Sequence, residues 1–152
     1  MLRQLLLAMW ILLYPEAVAT WYGGQFLGKR HAASWHGETP IGYPETVTRN
    51  VAGVAAPSDI PFGTLLRLTR VGACNEEPSE YDGRQVIVVV LDRKKRHEIP
   101  GYLDLWPLPA ELLGFGPSFG DRDAGCVKVR VEVLVGSRRR RRFPEGESAL
   151  EQ

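Results

Sequence analysis

Two aspartates follow segments typical of strands, and each has the chemistry of a proton donor or acceptor. Asp92 comes directly after Val86–Leu91, the most apolar run of the chain. A carboxyl at the end of such a strand lies in apolar surroundings, where desolvation favours its protonated form and leaves a proton for donation. The alternative is an aspartate that caps the turn after a strand. Asp104 lies shortly before Pro107, where a carboxylate can accept backbone N–H bonds and fix the following turn and helix.

A run of cations, Arg93–His97, follows Asp92 without a break. Positive charges within about 6 Å favour the ionised carboxylate and therefore oppose the effect of desolvation on Asp92. The same run offers a binding site for the carboxylates of a ligand; the alternative is a solvated loop. The three histidines, His31, His36 and His97, lack the spacing of metal ligands, so we expect surface histidines and no metal or other cofactor.

Short strands must position these residues, because 16 glycines and 11 prolines leave little room for long helices. The patterns predict strands over residues 19–22, 64–71, 85–91 and 127–135 and a short helix over 109–113. The β-branched run 85–91 is typical of a strand buried on both faces, whereas 127–135 alternates, with its valines inward and Lys128, Arg130 and Glu132 outward. With few helices to cover a sheet, closure into a small barrel best hides its edges.

The length and charge of the chain exclude several classes of protein. At 152 residues and 17.0 kDa it fits one domain, and its 44% hydrophobic residues argue against wholesale disorder. No apolar run reaches the roughly 20 residues that a membrane helix needs. The net charge is only +1, and five of the 19 basic residues lie together at Arg138–Arg142. We therefore predict a disordered Arg-rich tail over residues 137–152 and no nucleic acid partner.

The first 19 residues have the pattern of a signal peptide. Arg3 supplies the positive start, residues 5–13 are apolar, and Ala17-Val18-Ala19 offers small residues for cleavage after Ala19. The alternative is a buried N-terminal helix, which Pro15 would end early. The signal peptide predicts a secreted or cell-envelope protein without stable membrane insertion after cleavage.

The two cysteines, Cys74 and Cys126, are disulfide candidates in an oxidising compartment. The bridge would close a loop of about 50 residues and contribute roughly 3–4 kcal/mol by loop entropy. Two unrelated thiols are the alternative.

Four segments in order carry a resemblance to a known family: residues 19–24, 60–69, 83–93, and Leu103-Asp104-Leu105 with the Leu113-Gly114 that follows. Together they resemble the rare lipoprotein A family, and more distantly the barrel domains of expansins and membrane-bound lytic transglycosylase A. The resemblance covers residues 19–135. It implies a mainly β fold over residues 20–136: a six-stranded double-psi β-barrel with one or two short helices and a groove across one side.

The resemblance also implies an activity. Active relatives are lytic transglycosylases of the cell envelope that cut peptidoglycan glycan strands and leave a 1,6-anhydro sugar. One carboxyl can serve as acid and then as base, because the sugar's own hydroxyl replaces water. Asp92 matches the family's "DRGP" aspartate and is the expected acid/base, Asp104 matches the aspartate of "DLS", and Glu38 is closest to the "GE" of the first long loop, with Glu45 as its substitute.

The same resemblance places Tyr22 and Trp35 beside the implied groove and shows two departures. By their charge, Arg93 and Lys94 could hold the carboxylates of muramyl peptides or anionic wall polymers, and Asp59 or Ser58 is expected to face the groove. Pro57 stands where the family has a histidine, and Lys94-Lys95 replaces Gly-Pro. Two hypotheses follow: a peptidoglycan-cleaving lytic transglycosylase, and a non-catalytic, expansin-like glycan-binding or structural barrel.

Overall fold

The protein is a closed six-stranded β-barrel with two short α-helices, in a computed structural model that describes residues 8–22, 24–94, 102–119 and 125–137. The mainly β, six-stranded barrel predicted from the sequence is thus confirmed. The strands are β1 (Trp10–Trp21), β2 (Gly53–Ala56), β3 (Leu65–Ala73), β4 (Gln85–Arg93), β5 (Tyr102–Leu105) and β6 (Val127–Leu134). The helices are α1 (Ala32–Trp35) and α2 (Pro107–Leu112), and single 3₁₀ turns cover Gly24–Phe26 and Pro117–Phe119.

The strands close in the order β1-β5-β2-β4-β3-β6. Two neighbouring pairs, β1–β5 and β2–β4, are parallel, and the other four are antiparallel. Closure gives every strand two partners, which satisfies the backbone groups that an open sheet would leave at its edges. Strands β1 and β5 run in one direction and β2 and β4 in the other, because β2 pairs antiparallel with β5.

Inward-facing aliphatic side chains fill the barrel. Alternate residues of β3 and β6 are fully buried, as are residues 88–91 of β4. Val88 and Val90 face the main core, while Val89 and Leu91 pack with Trp106 on the other face of β4. Burial on both faces, predicted for this strand, holds for residues 88–91; Ile87 is half exposed.

The alternation predicted for β6 is correct for Val127, Val129 and Val131 but wrong at its end. Val135 lies beyond the strand and is exposed. Glu132, predicted to face solvent, is buried because Arg67, its register partner on β3, makes two hydrogen bonds to its carboxylate at 2.9 and 3.1 Å. A charged side chain is buried here only because it has a paired opposite charge.

Strand β1 is far longer than the predicted 19–22. It begins at Trp10 and pairs with β6 from Trp10 opposite Leu134 to Ala19 opposite Val127. Ten of its 12 residues, 10–19, lie within the segment predicted as a signal peptide. Ala17 and Ala19 belong to the buried core, so the folded barrel uses residues on both sides of the predicted cleavage point.

Connections outside the barrel are partly ordered as well. The stretch 28–50, loop-like in sequence, contains α1 and an isolated bridge between Arg30 and Thr46. Helix α2 begins at Pro107, whose fixed φ and missing N–H suit a first turn. It is followed by Gly114 at φ 80°, where a Cβ would lie 2.3 Å from the Tyr81 ring. Among the described residues, no helix has the length and hydropathy to cross a membrane.

The disulfide Cys74–Cys126 is present and confirms the predicted pairing. It joins the end of β3 to the start of β6, with the two Cα atoms 5.5 Å apart and a sequence separation of 52. A loop of this size corresponds to roughly 4 kcal/mol of loop-closure entropy. The Arg-rich tail from Arg138 onward and the predicted leader's residues 1–7 lie outside the described residues.

Candidate functional site

The barrel register brings Asp92 and Asp104 into one row that crosses three neighbouring strands. Ala55 on β2 pairs with Asp92 of β4 on one side and with Asp104 of β5 on the other. Thr20 of β1 pairs in turn with Asp104. Neighbours in a register row point to the same face of a sheet, and Cα atoms two strands apart are about 10 Å from each other. The two carboxyls therefore stand on either side of one small residue.

Asp92 is held by three hydrogen-bond donors. Its Oδ2 accepts from the Tyr22 hydroxyl at 3.0 Å, and its Oδ1 accepts from the backbone N–H groups of Ala32 and Arg93, each at 2.9 Å. The three donors fix the position and orientation of the carboxyl group.

Burial is the main feature of the environment of Asp104. Burial raises the pKa of its carboxyl, and the neighbouring Asp92 charge adds to that effect. The Thr20 hydroxyl, which donates to Oδ1 at 2.9 Å, and the Lys94 ammonium act the other way and lower the pKa without cancelling the effect of burial. The hydrogen bond from Thr20 joins Asp104 to the neighbouring strand β1 and not to the turn that follows Asp104.

Tyr22 lies between the two aspartates. Burial is the main cause that raises the pKa of its phenol, and the charges of Asp92 and Asp104 raise it further. The hydroxyl therefore stays protonated and acts as a donor. Its ring packs edge-on against Phe26, with centroids 5.2 Å apart.

Trp106 forms the floor of the site. The residue is fully buried, so its indole cannot stack on a ligand. Gly53 makes room for it, because a Cβ there would lie 2.3 Å from the ring. The indole N–H lies on the Tyr22 side and meets no acceptor with hydrogen-bond geometry among the described residues.

His31 is a supporting residue that the sequence analysis missed. It was predicted at the surface, yet it is buried, because both ring nitrogens are used. Nδ1 accepts from the Ser34 N–H at 3.2 Å and caps α1, and Nε2 lies 2.6 Å from the Pro44 carbonyl, which requires the Nε2–H tautomer. The cap fixes α1, whose first N–H, from Ala32, reaches Asp92.

The two described cations of the predicted run are engaged with aromatic rings. The Arg93 guanidinium lies 3.8 Å from the centroid of Phe62, and the Lys94 ammonium lies over Tyr102. Lys94 acts on Asp104, as the pKa effects show, and burial lowers its own pKa. Lys95, Arg96 and His97 lie outside the described residues.

The remaining candidates stand on segments around the two aspartates. Trp35 on α1 is 70% exposed, with the Arg30 guanidinium 4.3 Å from its ring centroid. Glu38 follows α1 and is half exposed, and Asp59 lies in the exposed turn after β2. Glu45 accepts a hydrogen bond from the Thr39 hydroxyl at 2.7 Å. The structure thus gathers Tyr22, Asp92, Lys94 and Asp104 into one cluster.

The chemistry of this cluster is acid–base chemistry and hydrogen bonding. Within the described ranges no group of three or more histidine, cysteine or carboxylate side chains is placed to hold a metal ion.

No protein-family model matches the chain, and no curated protein sequence matches it either.

Proposed function

We propose that this protein cleaves the glycan strands of peptidoglycan in the cell envelope, as a lytic transglycosylase. One observation carries the proposal: two carboxyls flank Ala55 in a single register row, and burial raises the pKa of one of them, Asp104. Pairs of carboxyls in different environments are typical of acid–base sites. The resemblance to the rare lipoprotein A family supports peptidoglycan as the substrate.

The surroundings support Asp104 as the general acid in place of Asp92. Burial raises the pKa of Asp104, which favours the protonated carboxyl that a general acid requires. Asp92 accepts three hydrogen bonds, which hold its carboxyl in place beside the position of the sugar ring. The sequence analysis favoured Asp92 because it follows an apolar strand, but it could not see the donors of Tyr22 and Ala32.

The reaction needs only one acid–base carboxyl. Asp104 protonates the glycosidic oxygen as the bond from that oxygen to the anomeric carbon breaks. The resulting carboxylate then takes the proton of the sugar's 6-hydroxyl while that oxygen bonds to the anomeric carbon. Asp104 is protonated again, no water is consumed, and the product ends in a 1,6-anhydro ring.

The segments around the aspartates supply binding groups for the glycan. Trp35 offers an exposed ring for stacking on a sugar face, and the Lys94 ammonium beside Asp104 offers a partner for muramyl carboxylates. Glu38 and Asp59 remain candidates for contacts to the glycan on these segments. The disulfide Cys74–Cys126 supports an oxidising compartment, in line with a secreted or envelope protein.

The test is the release of anhydro-muropeptides from purified peptidoglycan, measured by mass spectrometry. We expect the full chain to yield fragments one water lighter than hydrolysis products. Asp104→Asn is expected to abolish them, whereas Glu77→Gln, on the exposed turn after β3, is the matched control and should leave the yield unchanged. Equal background amounts from wild type and Asp104→Asn would contradict the enzymatic proposal.

A second candidate function is non-catalytic glycan binding, as in an expansin-like barrel. Pro57, which is buried at the end of β2, favours it, because this position offers no proton donor where the resembling family has a histidine. Binding without cleavage predicts that the protein sediments with peptidoglycan, releases no fragments, and loses binding on Trp35→Ala.

A further inference from the structure

Helix α1 carries an exposed aromatic ring beside the carboxyl site. Ala32, its first residue, donates its N–H to Asp92 Oδ1 at 2.9 Å, and Trp35 is its last residue. Three residues of α-helix advance about 4.5 Å along the axis, so the backbone of Trp35 lies about one turn from the hydrogen bond to Asp92. Trp35 is 70% exposed, so its ring can contact a ligand that extends from the carboxyl site.

Arg30 holds this ring in place. Its guanidinium lies 4.3 Å from the centroid of the Trp35 ring. The same group is fixed by Ser34: Nε donates to the Ser34 hydroxyl and Nη2 to the Ser34 carbonyl, each at 2.9 Å. The backbone of Arg30 is paired with Thr46 in an isolated bridge. A planar guanidinium with two such bonds has few other positions, so the ring that it covers is ordered before any ligand binds.

The pair has the chemistry of a surface for a sugar. The face of an indole carries partial negative charge, and the C–H groups on one side of a pyranose ring give that side an apolar, weakly positive surface. The guanidinium lies against the Trp35 ring and fixes its orientation, while most of the residue remains exposed to solvent. Because the ring lies about one helical turn from the Asp92 contact, its occupant belongs to the same ligand as the group at the carboxyls.

We propose that Arg30 and Trp35 form a preformed stacking surface for a sugar of the peptidoglycan strand, next to the sugars at the carboxyls. The inference rests on the proposed function for the identity of the glycan, but not for its cleavage. Trp35 contacts the sugar, and Arg30 is a positioning residue that acts through Trp35. The ligand of the site is therefore a glycan strand that continues past one disaccharide.

A second pair in the molecule has nearly the same geometry and serves as the control. The Arg84 guanidinium lies 4.4 Å from the centroid of the Tyr81 ring. Arg84 directly precedes β4, and Asp92 is the eighth residue of that strand, so up to about 26 Å of extended chain separates the two. Substitution of Arg84 thus removes an equivalent contact between a guanidinium and a ring without altering α1.

Binding is measured by sedimentation of the full chain with purified peptidoglycan. Trp35→Ala should weaken binding about tenfold and Arg30→Met about threefold. Arg30→Lys keeps the positive charge but lacks the planar group, so it should weaken binding as Arg30→Met does. Arg84→Met should bind as the wild type does.

Two further measurements test how the pair acts. In a chain that already carries Trp35→Ala, Arg30→Met should cause no additional loss, because Arg30 acts through the ring. A peptidoglycan tetrasaccharide should compete for the wild type about tenfold better than the disaccharide of N-acetylglucosamine and N-acetylmuramic acid. Trp35→Ala should remove most of that difference, which a merely structural role of Trp35 would leave in place.

Three results would overturn the proposal. Equal binding by Arg30→Met and Arg84→Met would show that the pair on α1 holds no sugar. A further loss from Arg30→Met in the Trp35→Ala chain would show that the guanidinium itself contacts the glycan. Full binding by Arg30→Lys would make charge alone responsible.

Failure of the proposed function has a different signature. In that case no anhydro-muropeptides are released, while Arg30→Met and Trp35→Ala still weaken binding to peptidoglycan and Arg84→Met does not. Thermal melts of each variant show whether a loss of binding is a loss of fold.

Discussion

The two halves of strand β1 have different surroundings. At the end that holds Thr20, β1 lies beside β5, and each charged group of the carboxyl site has a donor, a counter-charge or an aromatic ring against it. At the end that holds Ile11, β1 pairs with β6 and exposes aliphatic side chains. Side-chain contacts are present in both places: the Arg67 guanidinium lies 4.8 Å from the Trp10 ring and also bonds Glu132. The difference is that only the Thr20 part of β1 lies beside a cluster of carboxyl groups.

The largest expected effect is that of Asp104→Asn on glycan cleavage. The amide cannot donate a carboxyl proton, and loss of a general acid costs about 100- to 10,000-fold in rate. Initial rates of anhydro-muropeptide release measure the effect, and a thermal melt of the variant shows whether a loss of rate is a loss of fold.

The assignment of Asp104 as acid is decided by comparison with Asp92→Asn. If Asp92 supports the reaction without donating the proton, Asp92→Asn should lower the rate less than Asp104→Asn does. It should also leave the alkaline limb of the rate against pH nearly unchanged. A variant Asp92→Asn that is inactive beside an active Asp104→Asn would reverse the two roles. If neither Asp92→Asn nor Asp104→Asn changes the rate, the carboxyls are not catalytic and the barrel is a binding protein.

The close packing under the site predicts a large effect on stability. Gly53→Ala would place a Cβ 2.3 Å from the rigid Trp106 ring and should lower the free energy of unfolding by about 1–3 kcal/mol. Gly72→Ala on β3 is the control, because nothing lies within 4 Å of a Cβ there. Urea denaturation measures both. If both variants have equal stability, the site is less tightly packed than the contact with Trp106 indicates.

The Tyr22 hydroxyl has a smaller predicted effect. Tyr22→Phe removes the donor to Asp92 Oδ2 and keeps the ring that packs on Phe26. We expect a loss of about 1 kcal/mol of stability from the missing hydrogen bond. Tyr43→Phe on the exposed loop before β2 is the control and should be neutral. An unaltered melting temperature and rate for Tyr22→Phe would contradict the role of this hydroxyl in holding Asp92.

The sequence predicted the barrel and both aspartates, because strand periodicity and short motifs are local signals. It also predicted the disulfide pair. The contacts that give each aspartate its chemistry are long-range: Thr20 and Asp104 are 84 residues apart, and Tyr22 and Asp92 are 70 apart. No pattern along the chain indicates such pairs. Asp92 was therefore preferred as the acid, although Asp104 has the surroundings that favour a proton.

Two other errors have the same origin. Alternation predicted that Glu132 is exposed to solvent. It is buried because Arg67 is its register partner, and that pairing depends on the order of the strands. His31 is buried only because the loop carbonyl of Pro44 meets its ring. The apolar run of residues 5–13 is ambiguous in itself, since a leader and a strand have the same composition there. Only the pairing with β6 distinguishes them.

The smallest expected effects are changes of stability with pH, and these have opposite signs for Asp104 and Glu132. The pKa of Asp104 is raised in the folded protein by burial, so its contribution to stability is fully present below pH 3.8, its ordinary pKa, and is lost as pH rises through the folded value. The pKa of Glu132 is lowered from 4.5, chiefly by its hydrogen bonds to Arg67. Its contribution is present above pH 4.5 and is lost as pH falls through the folded value.

Denaturation between about pH 3 and pH 7 measures both effects against the neutral variants. Wild type should lose stability relative to Asp104→Asn as the pH rises, and relative to Glu132→Gln as the pH falls. Added salt should reduce the second difference, because the ion pair with Arg67 is partly solvent-accessible, and should affect the first less. Two differences of the same sign would show that Asp104 is not a desolvated carboxyl.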